Sequence, residues 1–352
     1  MPLLARTVAT PLAVEVHAGA VAHLGELLAD RRISSGGEVA VAVGPGVGKE
    51  AAEQARGSLE RAEIITIEAG AHSDALDLAD KLRTRNFDAV VGIGGGRVID
   101  TVKYASFRQG LPMVAVATSL ANDGIASPVA SLDRDGHSIS YGAHIPMAVI
   151  VDLDFVRRAP VRQLRSGVGD ALSNLSATAD WQLSHEITGE PIDGLAVALA
   201  RAGAESVLRH PGEVTDDDFL TTLANALVMG GTSMAVAGTS LPCSGACHEI
   251  GHALQERHRD MGATHGEQVA VGALFATYLR GDERLFAEMA HTMRRHDLPC
   301  TPVDMGLTVE QFAEAVAYAP RTRPGRYTVL EHVSLELPEL RQRITEFVDD
   351  LR

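Results

Sequence analysis

Short runs that are apolar at almost every position alternate with helix-like stretches to about residue 150. Residues 38–43 (EVAVAV), 63–68 (EIITIE), 87–93 (FDAVVGI) and 113–117 (MVAVA) read as strands. Strands apolar on both faces, separated by helices, imply a parallel sheet covered on both sides, a doubly wound α/β half. Residues 138–141 and 147–151 read as a hairpin arm and its return. After Pro160 the helical period takes over, at 193–209, 216–236, 247–257, 267–279, 283–295, 309–318 and 338–351. Thr215 ahead of Asp216, Asp217 and Asp218 reads as an N-cap with acids in the first turn. The chain is expected to divide near 155–165 into an α/β part, 1–160, and a helical part, 161–352, without internal repeats.

Two strand ends carry candidate chemistry. After the 87–93 strand comes Gly94-Gly95-Gly96-Arg97-Val98-Ile99-Asp100. Glycines there let the backbone approach a pyrophosphate, and the helix start offers free N–H groups and a positive dipole end. The turn is not the usual GxGxxG, although Gly92-x-Gly94 precedes it. After the 113–117 strand, Thr118, Ser119, Asn122, Asp123 and Ser127 cluster where an open α/β sheet binds ligands. A capped loop would explain the same residues.

Composition narrows the classes little. The 352 residues are 45% hydrophobic and 22% charged, ordinary for a globular protein. The net charge of −15 argues against general nucleic-acid binding, though local arginines can still hold a phosphate. The N-terminus shows no secretory signal, and no apolar run approaches the roughly 18 residues of a membrane helix. The three cysteines, Cys243, Cys247 and Cys300, do not make a disulfide framework, which fits a reducing cytoplasm.

The helical part contains Cys247-His248-Glu249-Ile250-Gly251-His252 and Thr264-His265-Gly266-Glu267. His248 and His252 share a helix face, and His265 follows, which points to metal. Cys243 and Cys247 flank them at looser spacing than a CxxC zinc pair. His248-Glu249-x-x-His252 also matches the HExxH of zinc metalloproteases, with His258 at the third-ligand spacing. Gln255 stands where the longer motif needs glycine, and that reading leaves the glycine turn unexplained.

Taken together, GIGGGRVIDTVKYAS (92–106), ATSLANDGIASPVAS (117–131), GVGDALSN (167–174), SGACHEIGHAL (244–254), THGEQVAVG (264–272) and TRPGRYTVLEH (322–332) resemble the glycerol-1-phosphate dehydrogenase family in order and rough spacing. That family lies in the iron-containing alcohol dehydrogenase superfamily, with glycerol dehydrogenase and, more distantly, dehydroquinate synthase. The resemblance implies a dehydroquinate synthase-like fold: a Rossmann-like domain with a parallel sheet, an all-helical domain, and an active site between them. It implies metal ligands at Asp170, His248 and His265, and substrate contacts at Asp123, Asp170 and His252, with His252 relaying a proton. Gly94, Gly95, Gly96, Asp100, Thr118, Ser119 and Ser127 fall where the family holds NAD or NADP. Arg323 and Arg326 fall in a segment typical of the family, and either contact phosphate or pack near it.

The implied reaction is reversible reduction of dihydroxyacetone phosphate to sn-glycerol 1-phosphate by NAD(P)H. Zn²⁺ suits one carboxylate and two imidazoles, and Fe²⁺ or Ni²⁺ could take their place. Two departures bear on the substrate: Asn122 replaces a common His, and Cys247 replaces the Glu of the SGAEH pattern. The rivals are a reductase of another small polyol or phosphorylated ketone, secondary metabolism included, a lyase, a cofactor-binding protein without turnover, and the metalloprotease. The loop Gly44-Pro45-Gly46-Val47 lacks an acid for the ribose hydroxyl, so NADP is expected to be tolerated. The sequence leaves the oligomeric state open, a homo-oligomer included.

Overall fold

The computed structural model describes residues 8–59 and 61–352. Its strands are β1 (Ala13–His17), β2 (Glu38–Val43), β3 (Ala62–Thr66), β4 (Phe87–Gly94), β5 (Met113–Ala117), β6 (Val129–Arg134), β7 (His137–Gly142) and β8 (Ala148–Asp152). Six form one parallel sheet in the order β1-β8-β5-β4-β2-β3, and β6 and β7 form an antiparallel ribbon. The continuous apolar runs have a direct cause. Val39, Val41 and Val43 of β2 enter the core on one face of the sheet, and Ala40 and Ala42 that on the other. In β4, Ala89, Val91 and Ile93 face one core and Val90 the opposite one. With both faces covered there is no side for polar alternation.

The chain folds as two compact units, one running to Pro160 and including Leu227–Gly238, the other formed by Val161–Ala226 and Thr239–Arg352. In the first, Gly231 backs onto Ala126 and Ser127, where a Cβ would stand 2.4 Å from the Ala126 carbonyl carbon. The second is helical. Its longest element, Val161–Thr188, packs beside the helices Ala246–Arg257 and His265–Leu279.

Some expectations shift. The 147–151 run is not the return arm of a hairpin. The ribbon's arms are β6 and β7, turned at Asp135-Gly136, both with positive φ (56° and 75°), as a two-residue hairpin turn requires. β8 is buried at every position and lies inside the main sheet between β1 and β5. The helix Asp217–Ala237 starts after Asp216, whose carboxylate accepts from Glu213 N at 2.8 Å, so the turn sits one residue beyond Thr215. That helix is long and apolar enough by composition to cross a bilayer, contrary to the sequence reading, but 61% of its most apolar window is buried inside the fold. β1 and the helix Val161–Thr188 were not foreseen.

Candidate metal centre and dinucleotide turn

β4 ends at Gly94, and the helix Gly96–Gln109 begins at once, with Gly95 at its N-cap and no side chain capping it. A Cβ on Gly95 would stand 3.1 Å from Ser119 Oγ. That hydroxyl is buried and has no hydrogen-bond partner. A bare helix start beside an unsatisfied buried hydroxyl fits an anionic group from outside, as a dinucleotide phosphate would be. Thr118 joins the turn through its backbone, Thr118 N donating to Gly94 O at 3.0 Å.

Asp100 is turned inward. Its Oδ1 lies 3.0 Å from Lys103 Nζ, and its Oδ2 accepts from Ser131 N at 3.2 Å. Burial pushes its carboxyl above the usual range, against the pull of Lys103. Lys103 is fully buried, and its ammonium also donates to the carbonyls of Gly124 and Val129. The pair therefore anchors the segment after β5. On that segment Asn122 Oδ1 accepts from Gly124 N at 2.9 Å, starting the 3-10 turn Asp123–Ile125, and the Ser127 hydroxyl donates to Val129 O at 3.2 Å. Lys103 escaped the sequence reading, although a Lys three residues after an Asp on one helix was a visible signal.

In the helical unit three residues converge. Asp170 lies mid-way along Val161–Thr188 and is 3% exposed. His248 sits on the helix Ala246–Arg257, and His265 opens the helix His265–Leu279, whose start is fixed by a Thr264–Glu267 capping box. Asp170 Oδ1 is 4.0 Å from His248 Nε2 and 3.6 Å from His265 Nε2, and one ligand atom from each residue lies within 4.8 Å of the others. The helices can approach this closely because their contact is built from glycine. A Cβ on Gly169 would stand 2.3 Å from Gly266 O, and one on Gly266 would stand 1.8 Å from Ser166 O.

The histidines are held neutral. Burial pushes His248 well below its usual pKa and His265 down to about 4. Each presents Nε2 to Asp170 and has a partner for Nδ1. Cys247 Sγ is 3.4 Å from His248 Nδ1, and the Gln255 side-chain amide is 3.2 Å from His265 Nδ1. Cys247, its own proton given to Ser173 O, accepts from His248 Nδ1–H and leaves that ring's Nε2 free for a metal. The Gln255 amide nitrogen instead donates to His265 Nδ1, so the partner does not select the ligating tautomer there. Gln255, three residues after His252 on the same helix, was missed because nothing in its type marks it. One carboxylate and two neutral imidazoles are a donor set that fits a divalent zinc-class ion.

The remaining candidates separate. His252 Nε2 accepts from Arg323 Nη2 at 2.9 Å, its ring 6.3 Å from that of His248. Burial, then the Arg323 charge, pushes His252 down to about 3. Arg326 instead donates to Ser244 O and, at 3.0 Å, to Ser240 Oγ, anchoring the turn before the His248 helix. Cys247 points its thiol at Ser173 O as well, and burial raises its pKa to about 12, so it stays protonated rather than ligating. The HExxH glutamate, Glu249, is wholly buried and pushed up to about 9, chiefly by burial. A buried acid kept protonated at neutral pH fits poorly the general base that the HExxH reading requires.

An iron-containing alcohol dehydrogenase model matches residues 15–160. The chain is 36% identical to a glycerol-1-phosphate dehydrogenase (NAD(P)+) of Thermofilum pendens, covering 92% of this chain and 93% of that one. It is 37% identical to the Archaeoglobus fulgidus enzyme of the same name, covering 77% and 78%. Among solved structures it is similar to a probable glycerol dehydrogenase from Sinorhizobium meliloti, with a TM-score of 0.78, 24% identity and 99% of each chain covered. That likeness carries the fold, and the sequence relatives carry the rest. The chain belongs to the glycerol-1-phosphate dehydrogenase family of the iron-containing alcohol dehydrogenases.

Proposed function

We propose that this protein reversibly reduces dihydroxyacetone phosphate to sn-glycerol 1-phosphate with NADH or NADPH. The convergence of Asp170, His248 and His265 carries the reading, in a chain so similar to named enzymes of that activity. These three would hold a divalent ion, Zn²⁺ first, with Fe²⁺ or Ni²⁺ as alternatives that metal analysis separates. When bound, the ion supplies Lewis-acid polarisation of the substrate carbonyl.

The protein's own residues do the positioning. The glycine turn Gly94–Gly96 and the Ser119 hydroxyl are proposed to receive the dinucleotide phosphates, with Thr118 holding the turn. Asp100 acts from beneath, through Lys103. Asp123 and Ser127 are proposed from the family pattern as substrate and cofactor contacts. Arg323 is the proposed phosphate ligand, because its guanidinium reaches His252 and otherwise only the carbonyl of its own neighbour, Thr322, at 3.3 Å, whereas Arg326 is bound to Ser240 and Ser244. His252 is held by Arg323 at Nε2 and by a side-chain hydrogen bond to Gln255, so its proposed part is to orient Arg323 beside the substrate, storing no proton at neutral pH. Three buried free thiols suit a reducing compartment.

The test is NAD(P)H oxidation by zinc-loaded protein with dihydroxyacetone phosphate, with and without a chelator. Chelator-sensitive turnover is expected, and its absence with every metal and both cofactors would reject the activity. Asn122 and Cys247, where the family has His and Glu, favour as a second reading a reductase of another small polyol or phosphorylated ketone. Faster turnover of glycerol than of its phosphate would select it.

A further inference from the structure

A second group of metal donors lies in the α/β unit, on β1 and the 3-10 turn after it. Glu15 and His17 are two apart on a strand and so project on one face. The chain then turns back through Gly19, at φ 73°, to bring His23 beside them. His17 Nε2 lies 3.4 Å and His23 Nδ1 2.9 Å from the same oxygen, Glu15 Oε2. The two rings stand 5.1 Å apart at 54°.

Two features distinguish this from a chance surface ion pair. First, the ligating face is preset. His17 Nδ1 is 2.9 Å from Ala18 O and so carries a proton, which fixes the ring with Nε2 turned to Glu15. Either a proton or a metal cation can sit between that nitrogen and the carboxylate oxygen, and a backbone carbonyl behind the ring is a usual support for a metal-bound histidine. Second, the turn is pinned from below. The wholly buried carboxylate of Asp152 accepts from Gly19 N at 3.1 Å and Val21 N at 2.9 Å, and β8 pairs His17 with Asp152. The side chains remain partly open, at 24% to 47% exposure, so an ion could reach them from solvent.

We propose that Glu15, His17 and His23 form a second divalent-metal site, of the zinc and nickel class, on the edge strand of the sheet. One carboxylate and two imidazoles provide three protein ligands, and solvent completes the coordination. The ion would tie β1 to the turn that follows it. It takes no part in the proposed reduction, and the site stands whether or not that activity does.

The test is metal analysis of untagged protein, stripped, reloaded with Zn²⁺ and desalted. Wild type is expected to retain two equivalents, and the double variant His17→Ala/His23→Ala one, with turnover of dihydroxyacetone phosphate unchanged. His265→Ala should also retain one equivalent, which the further change His23→Gln removes. Since both histidines are partly exposed, far-ultraviolet circular dichroism is expected to match wild type. Glu15→Gln offers a milder variant that should weaken the second equivalent. The proposal is overturned if His17→Ala/His23→Ala binds as much zinc as wild type, or if wild type binds a single equivalent that His265→Ala abolishes. Two equivalents surviving in His265→Ala would instead reject the Asp170 centre and leave this one standing.

Discussion

Glu249 sits one residue after His248, yet its chemistry is that of a neutral acid. Its Oε2 is 3.2 Å from Thr328 Oγ1, and that hydroxyl is 2.7 Å from Glu331 Oε2. The Thr328 hydroxyl has one proton to donate between these two carboxylates, and burial, then the charge of Glu331, favours the protonated form of Glu249. An acid whose folded pKa is raised from 4.5 to about 9 binds more protons folded than unfolded across that interval. Stability is therefore lost as pH rises through it. Glu249→Gln is expected to melt higher than wild type by a margin that widens from pH 5 to 9, and a constant margin would refute the assignment. Arg323 and Arg326 separate by the same reasoning. Arg323→Gln should raise KM for dihydroxyacetone phosphate about tenfold, the worth of roughly 1.4 kcal/mol, while metal content holds. Arg326→Ala should instead cost roughly 1.5–3 kcal/mol of stability, the range for hydrogen bonds to a charged group, measured by denaturant unfolding. The sequence could nominate both arginines but not divide them, because the division lies in whether Ser240 and Ser244 reach the guanidinium.

At the scale of elements, the contact between Val161–Thr188 and His265–Leu279 sets the distance between Asp170 and His265. Gly169→Ala would drive a methyl into Gly266 O and part the helices beside both donors. The expected cost is roughly 1–3 kcal/mol, as for other overpacked cores, together with weaker zinc binding read by competition with a chelating dye. Unchanged zinc affinity would mean the helix spacing does not tune the donors. This helix was also the largest element that patterning passed over. Ser173, Asn174, Ser176, Thr178 and Asp180 are all buried in it, so its polar residues do not mark a solvent face and the helical period is hidden. Asp180 shows why they are inside: it accepts from Ala246 N at 2.9 Å and Val329 N at 2.8 Å and pairs with Arg280 at 2.6 Å. The central strands were legible for the opposite reason, since burial on both faces leaves an unbroken apolar run. β1 was not, being a five-residue edge strand with mixed burial. For the site, the donor set came from resemblance to a family. Spacing alone paired His248 with His252, and only the third helix brings His265 in place of His252.

For the molecule as a whole, acid is the predictable weakness. His252, His265 and His296 are pushed down to about 3, 4 and 4, and His248 falls well below normal, in every case chiefly by burial. Each of these folded-state values lies under the unfolded 6.5. Between about 6.5 and 4, the unfolded chain therefore binds more protons than the folded one, and stability falls as pH falls through that window. Metal adds to this. An ion held by Asp170, His248 and His265 binds the folded state and stabilises it by mass action, but its imidazole ligands must stay deprotonated. Protons compete for them as the pH drops. The zinc-loaded protein is expected to melt several degrees above the stripped protein at pH 7.5, and the gap should close as pH approaches 4.5. Thermal midpoints recorded with and without zinc across that range check it. A gap that persists undiminished at low pH would mean the stabilising ion is bound by carboxylates rather than by these histidines, since carboxylates keep their charge further into acid than imidazoles keep their lone pairs.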